Sequence, residues 1–294
     1  IHCTRCVRFG QDVAGIQELG TIGRGENTQI GTWVERSVDH ELSGNIIDLC
    51  PVGALNSKPF RYQGRSWEMT QQPLVSPHDP VGSNLYGHVL RGRLMRVVPR
   101  PNESINETWI ADRDRFSYEA IYAADRLTAP RVREAAGWRT IGWEEALRIA
   151  AERLTARGAS LGVLASPSST TEELYLLTRL ARGLGSANID HRLRQQDFRD
   201  ASGDPLVPSL GMAIADVDSL GGLLVIGSNL RSEAPILAHR VRKAARRGAK
   251  VAFLNPAAFD YLFPVAAQLV SAPAAQLGDL LGVLAAAGEG GALP

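Results

Sequence analysis

Cys3 and Cys6 form a C-x-x-C pair, and Cys50 is followed at once by Pro51 in CPVGAL. Two thiolates at that spacing can reach adjacent corners of one metal cluster while a distant Cys-Pro closes its far side, the division seen in ferredoxin-type sites. Soft thiolates select iron-sulfur clusters or zinc. The chain holds 3 cysteines, so a fourth ligand has to come from elsewhere. His2 or His40 could supply it to zinc; for a 4Fe-4S cluster the natural donor is a cysteine three positions before Cys3, upstream of Ile1. Free buried thiols and a redox dithiol are the remaining readings, although no thioredoxin-like strand precedes the pair and a dithiol leaves Cys50 unexplained. An odd cysteine count with no secretory segment points to a reducing, cytoplasmic compartment. The chain opens on Ile rather than Met, and its natural start is expected upstream.

At roughly 150 residues per domain, 294 residues suggest about two domains with enough chain to bury a sizeable core. Lys and Arg number 32 against 31 Asp and Glu, so no basic excess asks for nucleic acid or an anionic membrane surface. No apolar run approaches the roughly 20 residues of a membrane span, so no direct membrane insertion is expected. Arg240, Arg242, Lys243, Arg246 and Arg247 read as the solvated face of one helix.

Residues 1–65 are rich in glycine and polar turns and read as loop-heavy scaffolding. From Trp67 to about Tyr122 short strand-like runs, LYGHVL and RLMRVVP, flank Arg91-Gly92-Arg93 and read as a small hairpin-containing β domain. Beyond Pro130 the period becomes helical, with Trp143, Ala146, Leu147, Ala150 and Leu154 on one face. LGVLAS at 161–166 is a short strand. Ser169, Thr170 and Thr171 just before Glu172 and Glu173 give an S/T-x-x-E capping signal for the helix that follows, with Gly183 or Gly185 as its stop. GLLVIGS at 222–228, a helix through HRVRKAARR, Gly248 as its C-terminal cap and AKVAFLN at 249–255 make a βαβ unit, hence a parallel sheet. The tail after Pro256 is Ala-rich with no evident closing element, and the C-terminus is expected to be cut.

CTRCVRF, AGIQELGTIGRG, ELSGNIIDLCPVGALNSKPFRY and VGSNL together resemble the large iron-sulfur subunit of the proton-pumping NADH:quinone oxidoreductase, respiratory complex I. In that family this stretch carries a 4Fe-4S cluster on C-x-x-C-x-x-C and a distal Cys-Pro. The resemblance implies that Cys3, Cys6 and Cys50 are its second, third and fourth ligands, the first falling just before Ile1. It further implies an upstream 2Fe-2S domain and a further 4Fe-4S site, both outside these residues. The expected partners are the flavin-bearing, NADH-binding subunit and neighbouring iron-sulfur subunits, on the cytoplasmic side of a bacterial inner membrane. The fold implied is mixed α/β: a ferredoxin-type cluster segment over 1–65, a small β domain over 66–123, and a parallel-sheet α/β domain over 124–294.

Residues 67–294 are similar to the molybdopterin-dependent oxidoreductases. Where that family places C-x-x-C-x-x-x-C, this sequence has Ser76, Asp79 and Ser83, and Ala111 stands at its fourth cysteine, so this cluster is expected to be absent. Gln196 falls at the molybdenum position after ANID at 187–190, with Asp197 one place off, so no molybdopterin is expected. The IGSN turn at 226–229 lacks a Gly-x-Gly-x-x-Gly fingerprint and reads as a strand-to-helix turn. TIGRGENTQIG reads as a loop folded over the cluster rather than a phosphate cradle. His78 and His88 read as surface or hydrogen-bonded core residues, and Trp33, Trp67, Trp109, Trp138 and Trp143 as scattered core anchors. No catalytic residue is expected. The function implied is electron relay from the NADH and flavin site toward quinone; a zinc-stabilised structural module and an active molybdoenzyme such as a formate dehydrogenase are the rivals.

Overall fold

The computed structural model describes residues 2–32, 37–192, 201–203, 205, 207 and 209–288. The chain divides into two compact units, Ile1–Tyr118 with Ser209–Pro294, and Glu119–Pro208.

The first unit opens with α1 (Arg5–Arg8), which continues as a π-helical turn over Phe9–Ala14. Gly15, at φ 89°, ends that turn: a Cβ there would lie 2.5 Å from Arg242 Nη1 and 2.6 Å from the Leu262 carbonyl oxygen, so no other residue fits. The glycine-rich stretch expected to be a loop is instead an antiparallel hairpin of β1 (Leu19–Ile22) and β2 (Gln29–Thr32). Strands of four residues broken by Gly20 and Gly31 show no readable alternation. After α2 (Asn45–Leu49), β3 (Thr70–Val75), β4 (Asn84–Leu90) and β5 (Arg93–Pro99) form an antiparallel sheet in that order. Arg91 (φ 51°) and Gly92 (φ 77°) are both left-handed, the two-residue hairpin turn whose twist matches its strands. The sheet packs Leu85 and Val97 against Ile110 and Tyr118, beside α3 (Asp112–Phe116).

In the second unit β6 (Arg131–Glu134) and β7 (Gly137–Thr140) form a hairpin, followed by α4 (Trp143–Arg157). β8 (Gly162–Leu164) runs parallel to β9 (Asn188–Asp190) through the crossover helix α5 (Thr171–Gly183). The capping box is formed: the Glu173 N–H donates to Thr170 Oγ1 at 3.2 Å, and the Thr170 N–H to Glu173 Oε2 at 2.8 Å. Gly185 (φ 85°) stops the helix, its N–H bonding Arg182 O while that of Ser186 bonds Ala181 O.

The rest of the first unit is a parallel sheet in the order β10 (Gly222–Ile226), β11 (Lys250–Asn255), β12 (Ala267–Val270), with α6 (Leu230–Glu233) and α7 (Pro235–Arg246) between its first two strands and α8 (Gln276–Gly288) after its last. The expected βαβ unit is therefore present. Pro235 sits at the start of α7, and its end is a Schellman motif in which the Gly248 N–H bonds Ala245 O and that of Ala249 bonds Ala244 O. Val241, Val251, Phe253 and Tyr261 form the core beneath it, the last two rings stacked at 3.6 Å.

Three expectations are corrected. The basic run of α7 is only partly a solvated face: Arg246 and Arg247 are exposed, but Arg240 is 2% exposed and donates to the carbonyls of Glu103 and Ile105, and Lys243 pairs with Glu107 and Asp218. Those partners are distant in sequence, so local patterning cannot show them. Trp67, Trp138 and Trp143 are exposed rather than core anchors, and the apolar stripe of α4 contributes no buried residue; Trp109 does pack, 5.0 Å from Phe9. Trp33 lies outside the described residues. The Ala-rich tail is not without regular elements: it carries β12, four residues too short to show a period, and α8, whose Ala and Leu content gives little periodic contrast.

Glu107 also pairs with His239, and the hydrogen bonds from His239 and Lys243 hold its carboxyl down to about 2, against an ordinary value of 4.5. A depressed native pKa stabilises the fold fully above the ordinary value and is lost as pH falls from about 4.5 toward about 2. Unfolding titrations across that window should therefore show stability declining with acid, and Glu107→Gln should be less stable near neutrality with a flatter acid limb. An unchanged limb would mean the pairing contributes nothing.

Candidate metal centre

Cys6 lies inside α1, buried with Val7 and Leu19 against Ile30, Val38, Ile46 and Leu55. Cys3, outside the helix, is exposed; Thr4 between it and the helix is left-handed at φ 58°, a conformation that turns the chain sharply between the two thiols. The turn behind Cys6 is fastened from α7, where Arg242 donates to Gln11 O at 3.1 Å and Arg246 to Asp12 O at 2.7 Å.

Cys50 caps the end of α2, its N–H bonded to Ile46 O at 3.1 Å. Pro51 holds it extended, at ψ 106°, as a residue before proline must be. The chain then turns back so that the Leu55 N–H donates to Cys50 Sγ at 3.4 Å. That donor, with the amides of Val52, Gly53 and Ala54, lowers the Cys50 pKa and favours its thiolate. Burial pushes the Cys6 thiol up instead, and the charges of Cys3 and Cys50 add to the effect. Among the described residues, no group of three or more His, Cys, Asp or Glu side chains is gathered as a ready metal site.

The support behind Cys50 is polar, and of its buried nitrogens Arg115 Nε is left without a partner. Asn45 is fully buried; its amide donates to Leu42 O and Ile110 O, both at 2.8 Å, and its oxygen accepts from the Ile110 N–H and from Arg115. Asp112 takes the Gly44 N–H at 2.7 Å and the Ser43 hydroxyl at 2.5 Å, and Arg115 pairs with Asp48 at 2.5 Å. None of these three positioning residues announces itself in the sequence, because each acts across more than sixty residues of chain.

His2, one of the two histidines weighed for zinc, is exposed. His40, the other, is buried and accepts the Leu42 N–H on Nδ1 at 3.3 Å; its other nitrogen faces Glu18 at 3.8 Å. Burial lowers the pKa of His40 and raises that of Glu18, so both are held toward their neutral forms. With Cys6 they line a small cavity.

Ser76, Asp79, Ser83 and Ala111 are all buried and close together. Ser76 Oγ donates to Asp114 Oδ1 at 2.5 Å and accepts the N–H groups of His78 and Asp79, while Ser83 Oγ donates to Asp79 Oδ2. Four positions expected to lack cluster ligands thus hold a hydrogen-bonded set of oxygens and one methyl group. Burial, with Asp79 adding to it, pushes the Asp114 carboxyl up. His78 meets Ser117 at 3.0 Å and His88 accepts from Arg96 at 3.0 Å, both in supporting contacts.

Gln196 and Asp197 lie outside the described residues. Asp190, at the end of ANID, accepts from Arg192, which with the neighbouring amides lowers its pKa to about 2. The IGSN turn is tied down from the sheet: Asn255 donates to Ser228 O at 2.9 Å, and Ser228 Oγ to Glu233 at 2.6 Å. Two oxygens there, Asn229 Oδ1 and Asn255 Oδ1, are buried without a partner.

Three family descriptions match the chain: NADH-quinone oxidoreductase subunit 3, ferredoxin-like domain, over residues 1–56; NADH-ubiquinone oxidoreductase NDSU1/NuoG-like, 4Fe-4S domain, over 74–119; and molybdopterin oxidoreductase over 126–287. The G-type subunit of the Rickettsia felis NADH-quinone oxidoreductase is 37% identical over 84% of this chain and 37% of its own length. The NADH-ubiquinone oxidoreductase 75 kDa subunit of Reclinomonas americana is 38% identical over 84% of this chain and 38% of its own. The mitochondrial 78 kDa subunit of Candida albicans is 40% identical over 83% and 34%. The chain therefore spans between 34% and 38% of the length of these relatives. A solved acetylene hydratase from Pelobacter acetylenicus superposes with a TM-score of 0.43 at 19% identity, over 65% of this chain and 28% of that one.

The two inner thiols should react differently. Iodoacetamide at neutral pH should modify Cys50 faster than Cys6, with the Cys50 rate rising at lower pH than an ordinary thiol of pKa 9.0 and the Cys6 rate at higher pH. Peptide mass spectrometry reads both, and unfolding should equalise them. Equal rates in the native chain would remove the amide loop as the source of Cys50's thiolate character.

Proposed function

The chain belongs to the molybdopterin oxidoreductase family, in the branch of the large iron-sulfur subunits of NADH-quinone oxidoreductase, and we propose that it relays electrons within that enzyme, from the NADH and flavin site toward quinone. The observation that carries the reading is Cys50 at the end of α2, its sulfur met at 3.4 Å by the Leu55 amide. The donor set fits an iron-sulfur cluster. A 4Fe-4S cluster held by Cys3, Cys6 and Cys50, with a cysteine three positions before Cys3 as its remaining ligand, would supply one-electron chemistry.

The residues of this chain hold and tune. Loop 51–55 directs amides at the Cys50 sulfur, which stabilises negative charge there and raises the reduction potential relative to a bare thiolate environment. Val7, Leu19, Ile46 and Leu55 exclude water around Cys6. Asn45, Asp112 and Arg115 keep α2 in place, so the donor atoms move little when charge changes. The Ser76, Asp79 and Ser83 set satisfies its own hydrogen bonds and takes no part in electron flow.

The division into a cluster segment over 1–65, a β domain over 66–123 and an α/β domain over 124–294 belongs to this proposal, as do a 2Fe-2S and a further 4Fe-4S centre elsewhere in the full subunit. So do the partners, a flavin-bearing NADH-binding subunit and neighbouring iron-sulfur subunits, and a place on the cytoplasmic face of a bacterial inner membrane. Among the described residues no helix is long and apolar enough to cross a membrane.

In the full-length subunit, Cys50→Ala should reduce NADH-to-quinone electron flow by more than about tenfold, as loss of a metal-site group does. Ser83→Ala should lower stability by about 1 kcal/mol, the worth of one hydrogen bond, and leave the flow near wild type. Equal losses would mean the ligand assignment is wrong. Metal and pterin analysis of the intact complex separates the rivals: iron with sulfide supports the relay, stoichiometric zinc supports a structural module, and stoichiometric molybdopterin, which could engage the orphaned Asn229 and Asn255 oxygens, supports a molybdoenzyme.

A further inference from the structure

Directly after the loop that holds Cys50, the chain runs along the surface with its aromatic side chains turned outward. Tyr62 is 98% exposed and Trp67 is 80% exposed. Tyr62 is also left-handed, at φ 66°, a backbone state that bulky residues adopt rarely and at a cost in energy. With its ring almost wholly in solvent, packing within the described residues does not offset that cost. Backbone strain held at an exposed aromatic is the usual mark of a binding feature.

The segment is held from beneath and charged above. The Arg96 guanidinium lies 4.6 Å from the Phe60 ring and donates to Ser66 Oγ at 3.3 Å, fixing both ends. Lys58, Arg61, Arg65 and Arg91 are exposed, Arg61 lying 6.0 Å from the Tyr62 ring and Arg65 5.8 Å from the Trp67 ring. The acid beside them, Glu68, accepts the Arg65 N–H at 2.9 Å. Gly64 brings the β4–β5 turn close, since a Cβ there would lie 3.1 Å from Leu90 Cδ2.

We infer that the surface from Val52 to Trp67, with Arg91 at its edge, docks an acidic face of a neighbouring subunit of the same enzyme, anchored by Tyr62 and Trp67. Tyr, Trp and Arg are the residue types that dominate binding energy at protein interfaces, and here they alternate along one short segment. A cationic surface selects an acidic partner and speeds its approach. The formal net charge of +1 provides no long-range field for a polyanion, which favours a protein partner over a nucleic acid. The inference rests on the electron-relay reading, because this surface continues from the loop that meets the Cys50 sulfur, so a partner seated on it lies beside the proposed cluster.

The test uses the full-length subunit and the peripheral-arm assembly purified without it. A photo-crosslinking residue at position 62 should capture a peptide of another subunit from an Asp- and Glu-rich surface. Tyr62→Gly should melt no lower than wild type, since glycine relieves the left-handed strain, yet bind the assembly at least about tenfold more weakly, as should the double variant Arg61→Glu, Arg65→Glu. Tyr62→Phe should bind within about threefold of wild type. Unchanged binding in both weakened variants, capture of a basic surface or of this chain alone, or variant-sensitive binding to heparin or anionic vesicles in place of the assembly would each overturn the inference. Paramagnetic resonance on the same samples separates the two claims: a cluster signal with unchanged binding sinks the docking surface alone, and a wild-type subunit without any cluster signal sinks the relay reading beneath it.

Discussion

The placing of Cys6 depends on a buried cation. Arg240 is almost completely removed from water, and an unpaired guanidinium there would cost several kcal/mol. It is not unpaired: the carbonyls of Glu103 and Ile105 accept its N–H groups, and Glu107 and Asp218 lie 3.6 and 3.4 Å from Nη1. These partners fix the rotation of α7 about its own axis. Two and six residues on, the same helix therefore delivers Arg242 and Arg246 to the carbonyls of Gln11 and Asp12, behind Cys6. A helix of the parallel sheet thus sets the position of a thiol near the start of the chain.

The two candidate centres contrast in how their polar atoms are satisfied. Hydroxyls and carboxylates donate to and accept from one another, so Ser76, Asp79, Ser83 and Asp114 close into a set with one orphaned oxygen, Asp114 Oδ2. Thiols are weak donors and weak acceptors and cannot do this. Cys3, Cys6 and Cys50 are free thiols, and the Cys50 sulfur gains its hydrogen bonds from backbone amides, which suit a thiolate. The oxygens answer one another within the protein, all but Asp114 Oδ2, whereas the sulfurs do not pair among themselves, which agrees with the ligand role proposed for them.

Legibility follows the range of the interactions. Features encoded within a few residues can be read directly: the capping box of Thr170 and Glu173, the Schellman end at Gly248, the turn at Arg91 and Gly92, the C-x-x-C pair and the Cys-Pro. Features that depend on distant partners cannot. The basic run of α7 looks solvated until Glu107 and Asp218 arrive, and Asn45, 65 residues from Ile110, is an ordinary asparagine in the sequence. Short strands such as β1 and β12 fall between, because four residues with glycine or alanine among them carry too little alternation to distinguish strand from loop.

That difference in range explains why the ligands are readable and their geometry is not. A metal ligand is identified by its element and its spacing, both of which are local. Its rigidity is collective: Cys50 sits where α2 ends, α2 is held by Asp112 and Arg115 of α3, and α3 follows directly on the segment that carries Ile110, bonded in turn to Asn45. This closed circuit of buried hydrogen bonds joins the cluster segment to the β domain without using any cysteine. The electron relay proposed above would need donor atoms whose positions change little between oxidation states, and a circuit independent of the cysteines would provide that. A substitution in it would disturb the centre while leaving each sulfur in place.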